Sequence, residues 1–170
     1  MVDAASTKPF GFSRFDPGPG LGGHCIPVDP WYFAWAASRA GHPSRFVELA
    51  GEINTQMPRH VVNAVASILA QHAKDLHGSS VLVLGVAYKK NVGDVRETPA
   101  APIVEDLQER GAQVQYHDPL VPNFPKMRRH DLGLHSVPLT EQVVHDADVV
   151  LIVTDHDAID FSLVATAAKR

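Results

Sequence analysis

The feature that most constrains the fold of this chain is the uninterrupted apolar run from Val81 to Leu84, which ends at Gly85. A strand that is apolar at every position needs cover on both faces, as in a parallel sheet that lies between layers of helices. A second run of this kind occupies residues 149–153. The first run therefore predicts a parallel strand that is covered on both faces, and the second predicts a further strand of the same α/β domain.

Helical and strand-like patterns alternate around these two runs. Thr98-Pro99 opens a predicted helix that ends at Gly111, and a strand begins at residues 114–116. A short helix near residues 140–145 and a last helix from about Phe161 complete the pattern. Alternating strands and helices predict a doubly wound parallel sheet in residues 78–170, and we expect this domain to lack its last strand.

Residues 1–77 predict a loop followed by helices. Residues 30–40 are apolar almost all round, so this helix is expected to lie either in a core or in an interface. Ser44 is placed to cap a second helix. Pro58 is expected to break or kink that helix and to start a third one that runs to about His77.

The composition excludes several classes of function. The 170 residues are 45% hydrophobic, carry a formal charge of −4 and include one cysteine. No long basic run favours nucleic acid or an anionic membrane, and no apolar stretch approaches the length of a membrane span. We expect a soluble cytoplasmic protein with a reduced thiol, no nucleic acid partner and no membrane partner.

The single cysteine lies in a loop rich in glycine and proline, GPGLGGHCIPVDP, residues 18–30. Such a loop allows the backbone to approach a ligand closely. Cys25 followed by Asp29 suits covalent catalysis, in which sulfur attacks a carbonyl and the acid handles a proton or a water. The plainer alternatives are a small buried cysteine and an aspartate that caps the helix starting at Pro30.

Two other interpretations of this loop are rejected. Gly18, Gly20 and Gly23 spell GxGxxG, but no apolar strand precedes them, as a dinucleotide-binding fingerprint requires. His24 adjoins Cys25, yet no CxxC or HExxH spacing occurs in the chain. We therefore predict no metal site.

Several longer motifs resemble those of the nucleotide-sugar 6-dehydrogenases, the UDP-glucose and GDP-mannose dehydrogenase family. They are TKPFGF, GPGLGGHCIPVDPWYF, FVELAGEIN and VLVLGVAYKKNVGDVRETP. The likeness is greatest to the C-terminal part of bacterial UDP-N-acetylglucosamine 6-dehydrogenases. The resemblance implies a catalytic-cysteine loop and central dimerisation helices in residues 1–77, and a Rossmann-like UDP-binding domain in residues 78–170. It also implies oxidation of the primary alcohol of UDP-N-acetylglucosamine or UDP-glucose to a carboxylate, with NAD as oxidant.

The resemblance further implies roles for individual residues. Cys25 matches a nucleophile that adds to the sugar aldehyde as a thiohemiacetal, becomes a thioester and is freed by water. Asp29 matches the acid that positions or activates this water. Arg96 would reach NAD, while Asp94 and Glu97 would order the loop around it. The residues implied to bind the UDP-sugar are Phe15, Asp16, Gly18, Gly20, Leu21, Gly22 and Lys89.

By the same resemblance, NAD is bound mainly by an N-terminal domain that this sequence does not include, and the family is generally oligomeric. We therefore expect a homodimer or a higher oligomer, and no catalysis by this chain alone. One alternative is a non-catalytic module for UDP-sugar binding or oligomerisation, and another is a cysteine hydrolase. Taken without the resemblance, the charges of Lys89, Lys90 and Arg96 would simply be solvated.

Two polar residues after predicted strands receive structural interpretations. Asp118 stands where a dinucleotide fold places its ribose-binding acid, but Pro119 follows it and it is interpreted as a turn residue. His156 lies between two aspartates and is interpreted as part of an exposed polar loop, not as an acid or base.

Overall fold

The computed structural model describes residues 1–169, and within them it contains six helices and three strands. The helices are α1 (Val2–Ser6), α2 (Asp29–Arg39), α3 (Arg45–Gln71), α4 (Ala100–Glu109), α5 (Glu141–Asp146) and α6 (Phe161–Ala167). The strands are β1 (Ser80–Leu84), β2 (Gln113–His117) and β3 (Val149–Ile152).

The three strands form one parallel sheet in the order β2-β1-β3. Val81 of β1 lies opposite Val114 on one side and Val149 on the other. The predicted doubly wound arrangement is confirmed, with the apolar run from Val81 to Leu84 in the central strand. All three strands therefore end at the same edge of the sheet, where an α/β fold collects its functional loops.

The apolar run is explained by cover on both faces of β1. Val81 and Val83 join one cluster with Val65 of α3 and Ile103 of α4. Leu82 and Leu84 point to the other face and join Val144 and Val164 of α5 and α6. Because successive side chains of a strand alternate between faces, a strand buried on both sides must be apolar throughout.

Helix α3 differs from the expectation at Pro58. The helix does not break there but runs without interruption from Arg45 to Gln71, and it ends before His77. Proline costs one backbone hydrogen bond inside a helix. The apolar stripe of the second half, which buries Val62, Val65 and Leu69, offsets that cost through tertiary packing.

Helix α2 exposes its aromatic side chains, although a helix that is apolar almost all round is expected to be covered. Trp31, Tyr32, Phe33 and Trp35 are between 45% and 68% exposed, and Ala34 is the buried residue of the helix. The interpretation of α2 as a core helix is therefore wrong within this chain. An interface remains the alternative that the exposed apolar surface favours.

Candidate functional site

The turn that carries Cys25 leads directly into α2. The Cys25 carbonyl accepts hydrogen bonds from the amides of Val28 at 3.0 Å and Asp29 at 2.8 Å. The cysteine is a free thiol on an exposed residue, so the alternative of a small buried cysteine is wrong. Val28 takes the N-cap position, and Asp29 is the first helical residue instead of the predicted cap. The thiol and the carboxylate thus belong to one exposed turn.

Glycines place this turn directly against the β1–α4 loop, residues 85–99. The amide of Gly23 donates to the carbonyl of Arg96 at 2.9 Å. A Cβ on Gly22 would lie 2.5 Å from the Cβ of Tyr88, and one on Gly23 would lie 3.0 Å from the Tyr88 ring. Gly23 also has a φ of +91°, which side chains rarely adopt. The glycines of the motif therefore serve close packing between two segments of the chain.

Asn54 of α3 holds the same loop from the other side. Its side-chain oxygen accepts a hydrogen bond from the amide of Leu21 at 2.9 Å. Gly20 completes the contact, because a Cβ there would lie 3.0 Å from the Cβ of Pro99. Sequence reasoning assigned no role to Asn54, although it lies in the motif FVELAGEIN that marked the resemblance. The loop is thus tied both to α3 and to the start of α4.

The two lysines of the β1–α4 loop have different environments. Lys90 forms ion pairs with Asp157 at 2.6 Å and with Asp155 at 3.5 Å, and these carboxylates raise its pKa. Lys89 is exposed, and no ion pair formed within residues 1–169 involves it. Lys90 is therefore held by its neighbours, whereas the Lys89 ammonium is available to an anion.

Arg96 is held by Asp94 in a bidentate arrangement. The Arg96 Nε lies 2.9 Å from both carboxylate oxygens, and the Nη2 lies 2.5 Å from Oδ2. This contact raises the pKa of Arg96 and lowers the pKa of Asp94 to about 2. The guanidinium remains largely exposed. Asp94 thus orients a cation that still faces outward from the loop.

The first residues of the predicted substrate set lie apart from this arrangement. Phe15 is 77% exposed, and the Asp16 carboxylate pairs with Arg14 at 2.6 Å, which lowers the pKa of Asp16. A Cβ on Gly18 would meet no atom within 4 Å. Residues 20–22 therefore contact the β1–α4 loop and α3. Phe15, Asp16 and Gly18 make no such contact with either segment.

A cavity of about 780 Å³ lies between the cysteine loop and helices α3 and α4. Its walls include Leu21, Ile26, Asn54, Arg59 and Pro99. Neither Cys25 nor Lys89 lines it, so the two predicted functional side chains do not share this cavity.

Asp118 and His156 are buried, and both earlier interpretations of them need correction. Asp118 is 2% exposed and its carboxylate accepts from the amides of Val86, Leu120 and other residues, so it is more than a turn residue. His156 is 0% exposed, so it does not belong to an exposed loop. Its Nε2 lies 3.1 Å from Asp118 Oδ2. Asp118 follows β2 and His156 lies in the loop after β3, and the parallel sheet brings these two strand ends to one edge. Local sequence patterns do not reveal this proximity.

Family models match both parts of the chain. Residues 1–56 match the central domain of the UDP-glucose/GDP-mannose dehydrogenase family, and residues 82–169 match its UDP-binding domain. The chain belongs to this family. The family predicted from the motifs is therefore confirmed.

Several members of the dehydrogenase family are similar to this chain over most of its length. A protein of Methanococcus vannielii named UDP-N-acetyl-D-mannosamine dehydrogenase is 34% identical over 142 residues, which are 84% of this chain and 30% of that protein. The solved UDP-D-ManNAc dehydrogenase of Pyrococcus horikoshii has a TM-score of 0.78 and 27% identity, over 99% of this chain and 37% of that one. An NDP-N-acetyl-D-galactosaminuronic acid dehydrogenase of Methanosarcina mazei has a TM-score of 0.79 and 27% identity, over 98% and 37%. The chain thus spans about a third of the length of these family members.

Two of the described residues, Asp118 and Arg96, bear on whether this part of the chain could contact NAD. The Asp118 carboxylate is buried at the end of β2 and accepts hydrogen bonds from backbone amides, so it is not free to bind a ribose. Arg96 remains accessible to a ligand from outside the loop.

Within residues 1–169, no group of three or more His, Cys, Asp or Glu side chains could hold a metal ion. None of the helices in that range combines the length and hydrophobicity needed to cross a membrane.

Proposed function

We propose that this chain is the thiol-bearing and UDP-sugar-binding portion of an NAD-dependent nucleotide-sugar 6-dehydrogenase. The observation that carries the proposal is the packing of the cysteine loop on the loop that presents Lys89. Gly22 and Gly23 contact Tyr88, which immediately precedes Lys89, and Gly23 is two residues from Cys25. A thiol and a free cation are thereby carried on two loops in direct contact.

The proposed role of Cys25 is covalent catalysis at the sugar C6. Its sulfur adds to the carbonyl carbon of the aldehyde, and the oxygen takes the thiol proton to give a thiohemiacetal. Loss of a hydride and a proton leaves a thioester, and water releases the carboxylate and restores the thiol. Asp29 is exposed, its amide donates to the Cys25 carbonyl at 2.8 Å, and its carboxylate is proposed to position that water. NAD supplies the acceptor for the hydride in each of the two oxidations.

Lys89 is proposed to bind the diphosphate of the UDP-sugar. Its exposure and the absence of an ion pair within residues 1–169 leave its ammonium free for phosphate oxygens. Gly20, Leu21 and Gly22 are proposed to contribute backbone close to the same ligand. We also propose substrate contacts for Phe15, Asp16 and Gly18. These contacts would require residues 15–18 to fold over a bound substrate.

The proposed substrate class is a UDP-N-acetylhexosamine. The names of relatives such as the Methanococcus vannielii protein favour N-acetyl-D-mannosamine as the sugar. The motif resemblance pointed to N-acetylglucosamine or glucose, so these two sugars are the proper comparison ligands.

The partners of this chain are also part of the proposal. NAD would be held mainly by an N-terminal domain, with Arg96 reaching it from the β1–α4 loop. The exposed aromatic residues of α2 are proposed to lie against a second subunit or against that domain. The alternative to this proposal is a module that binds UDP-sugars or forms oligomers without performing catalysis.

The binding part is tested by calorimetry with UDP and with the UDP derivatives of N-acetylmannosamine, N-acetylglucosamine and glucose. We expect Lys89→Ala to weaken UDP binding about tenfold, since one charge-assisted contact is lost. Lys74→Ala is the matched control, because Lys74 pairs with Asp148 at the amino ends of the strands. Equal affinities of the Lys89 variant and the unchanged chain would refute the role of Lys89.

The proposed covalent role of Cys25 is tested with the 6-aldehyde of the UDP-sugar. The addition of Cys25 to this aldehyde requires no NAD. We expect the aldehyde to protect Cys25 from alkylation by iodoacetamide, because a thiohemiacetal removes the free thiol. UDP alone serves as the control for simple shielding. If the aldehyde protects no better than UDP, the non-catalytic module becomes the better explanation.

A further inference from the structure

The buried carboxylate of Asp118 joins the loops that follow β1 and β2. Its Oδ2 accepts hydrogen bonds from the amides of Val86 at 2.7 Å and Ala87 at 3.2 Å. Its Oδ1 accepts from the amides of Leu120 at 2.8 Å and Val121 at 3.0 Å. A single side chain at the end of β2 thus fixes the first residues of the loop that carries Lys89.

The carbonyls of the same two loop residues are held by hydroxyl groups. Thr98 Oγ1 donates to the carbonyl of Val86 at 2.9 Å, and Thr154 Oγ1 donates to the carbonyl of Ala87 at 2.6 Å. The amide of Tyr88 then donates to the carbonyl of Asp94 at 2.9 Å. The backbone from Val86 to the Tyr88 amide is therefore bonded at every donor and acceptor group.

His156 holds the loop on the far side of the two lysines. Its Nδ1 accepts a hydrogen bond from the Asn91 amide at 2.9 Å, so this nitrogen carries no proton. The proton therefore lies on Nε2, which donates to Asp118 Oδ2 at 3.1 Å. Asn91 is further held by Asp157, whose amide donates to Asn91 Oδ1 at 3.0 Å. The neutral imidazole links the loops after β1, β2 and β3.

We propose that Asp118 and His156 are positioning residues that hold the loop so that Lys89 faces the diphosphate of the UDP-sugar. Lys89 and Lys90 are the residues between the two fixed points, and Lys90 is already bound to Asp157. A loop with fixed backbone loses little conformational entropy when its lysine binds a ligand. The inference rests on the proposed UDP-sugar function. In it, Asp118 and His156 raise the affinity for the ligand by holding the loop, not by contacting the ligand themselves.

The test compares UDP affinity by calorimetry in His156→Leu, His156→Gln and the unchanged chain. Leucine retains bulk but loses both hydrogen bonds, so we expect affinity to fall about fivefold or more. Glutamine has an oxygen and an amide nitrogen and should restore part of the affinity. Asp118→Asn should weaken binding as well, while Asp148→Asn provides the matched control. Asp148 also accepts from a strand-end amide, that of Ser80 at 3.0 Å, but at the opposite edge of the sheet.

A double-mutant cycle separates positioning from general loss of stability. If His156 acts through Lys89, the effect of His156→Leu on UDP affinity disappears in the Lys89→Ala background. Equal losses in both backgrounds would contradict the proposal, and so would unchanged affinity in a folded His156→Leu chain.

Hydrogen exchange keeps this inference distinct from the proposed function. We expect His156→Leu to accelerate exchange in residues 86–93 while β2 keeps its protection. If the unchanged chain does not bind UDP, the proposed function fails, and exchange still decides whether the pair fixes the loop. Unchanged exchange in residues 86–93 would overturn the inference whatever the result with UDP.

Discussion

The backbone amide of Gly23 donates a hydrogen bond to the backbone carbonyl of Arg96 at 2.9 Å. This bond joins the cysteine loop to the β1–α4 loop, two segments that are distant in the sequence. Because both groups belong to the backbone, side-chain substitutions at Arg96 leave the bond available. The glycines that permit the close approach are the vulnerable positions.

Gly22→Ala should separate the two loops. The new Cβ would lie 2.5 Å from Tyr88 Cβ and 2.9 Å from the Glu97 carbonyl oxygen, and neither atom belongs to the end of a flexible side chain. We expect the free energy of unfolding to fall by about 1–3 kcal/mol, measured by urea denaturation. Gly18→Ala is the control, since its Cβ would meet nothing within 4 Å and Gly18 has no positive φ. Similar losses in both variants would contradict the packing described.

Asn54→Ala should loosen the cysteine loop while leaving the rest of α3 in place. The variant removes the acceptor for the Leu21 amide. We expect faster alkylation of Cys25 and a loss of stability of about 1 kcal/mol. Asn63→Ala is the control on the same helix, because Asn63 accepts from Arg110 instead. If Cys25 reacts at the same rate in both variants, the Asn54 contact does not restrain the loop.

Asp148 should contribute stability that is lost in acid. The Lys74 ammonium and the Ser80 amide lower the pKa of Asp148 to about 2, below its ordinary value. A depressed pKa stabilises the folded state above pH 4, and this contribution disappears as the pH falls towards 2. We expect Asp148→Asn to be less stable by about 1 kcal/mol at pH 7, allowing for the partial exposure of the pair.

The measurement for Asp148 is the free energy of unfolding between pH 7 and pH 2. The difference between the unchanged chain and Asp148→Asn should narrow as the pH falls below 4. A difference that stays constant down to pH 2 would show that the ion pair contributes nothing measurable.

The exposed face of α2 should mediate association. Replacing both Tyr32 and Trp35 by serine removes large exposed apolar side chains without touching the buried Ala34. If this face binds a second copy, sedimentation should show dimers of the unchanged chain and monomers of the variant. Leu120→Ser, at another exposed apolar position, is the control. An unchanged chain that is monomeric at all concentrations would leave the NAD-binding domain as the proposed occupant of this face.

The sequence predicted the sheet better than it predicted the residues that organise the sheet's edge. The apolar run of β1 and the alternation of helices and strands depend on local burial, and the structure agrees with them. The family was also evident from contiguous motifs. Asp118, His156 and Asn54 were misjudged or missed because their partners are distant in the sequence and local patterns contain no record of such contacts.

The amino-acid sequence by itself determined the family, the layered α/β architecture and the presence of one cysteine in a glycine-rich loop, because each depends on residues close together in the chain. Only the tertiary structure decided that Pro58 stays within a helix, that α2 exposes its aromatic residues and that a buried aspartate and histidine link three loops. Those outcomes depend on packing between distant segments. A parallel sheet gathers its strand ends at one edge regardless of how far apart they are in the sequence.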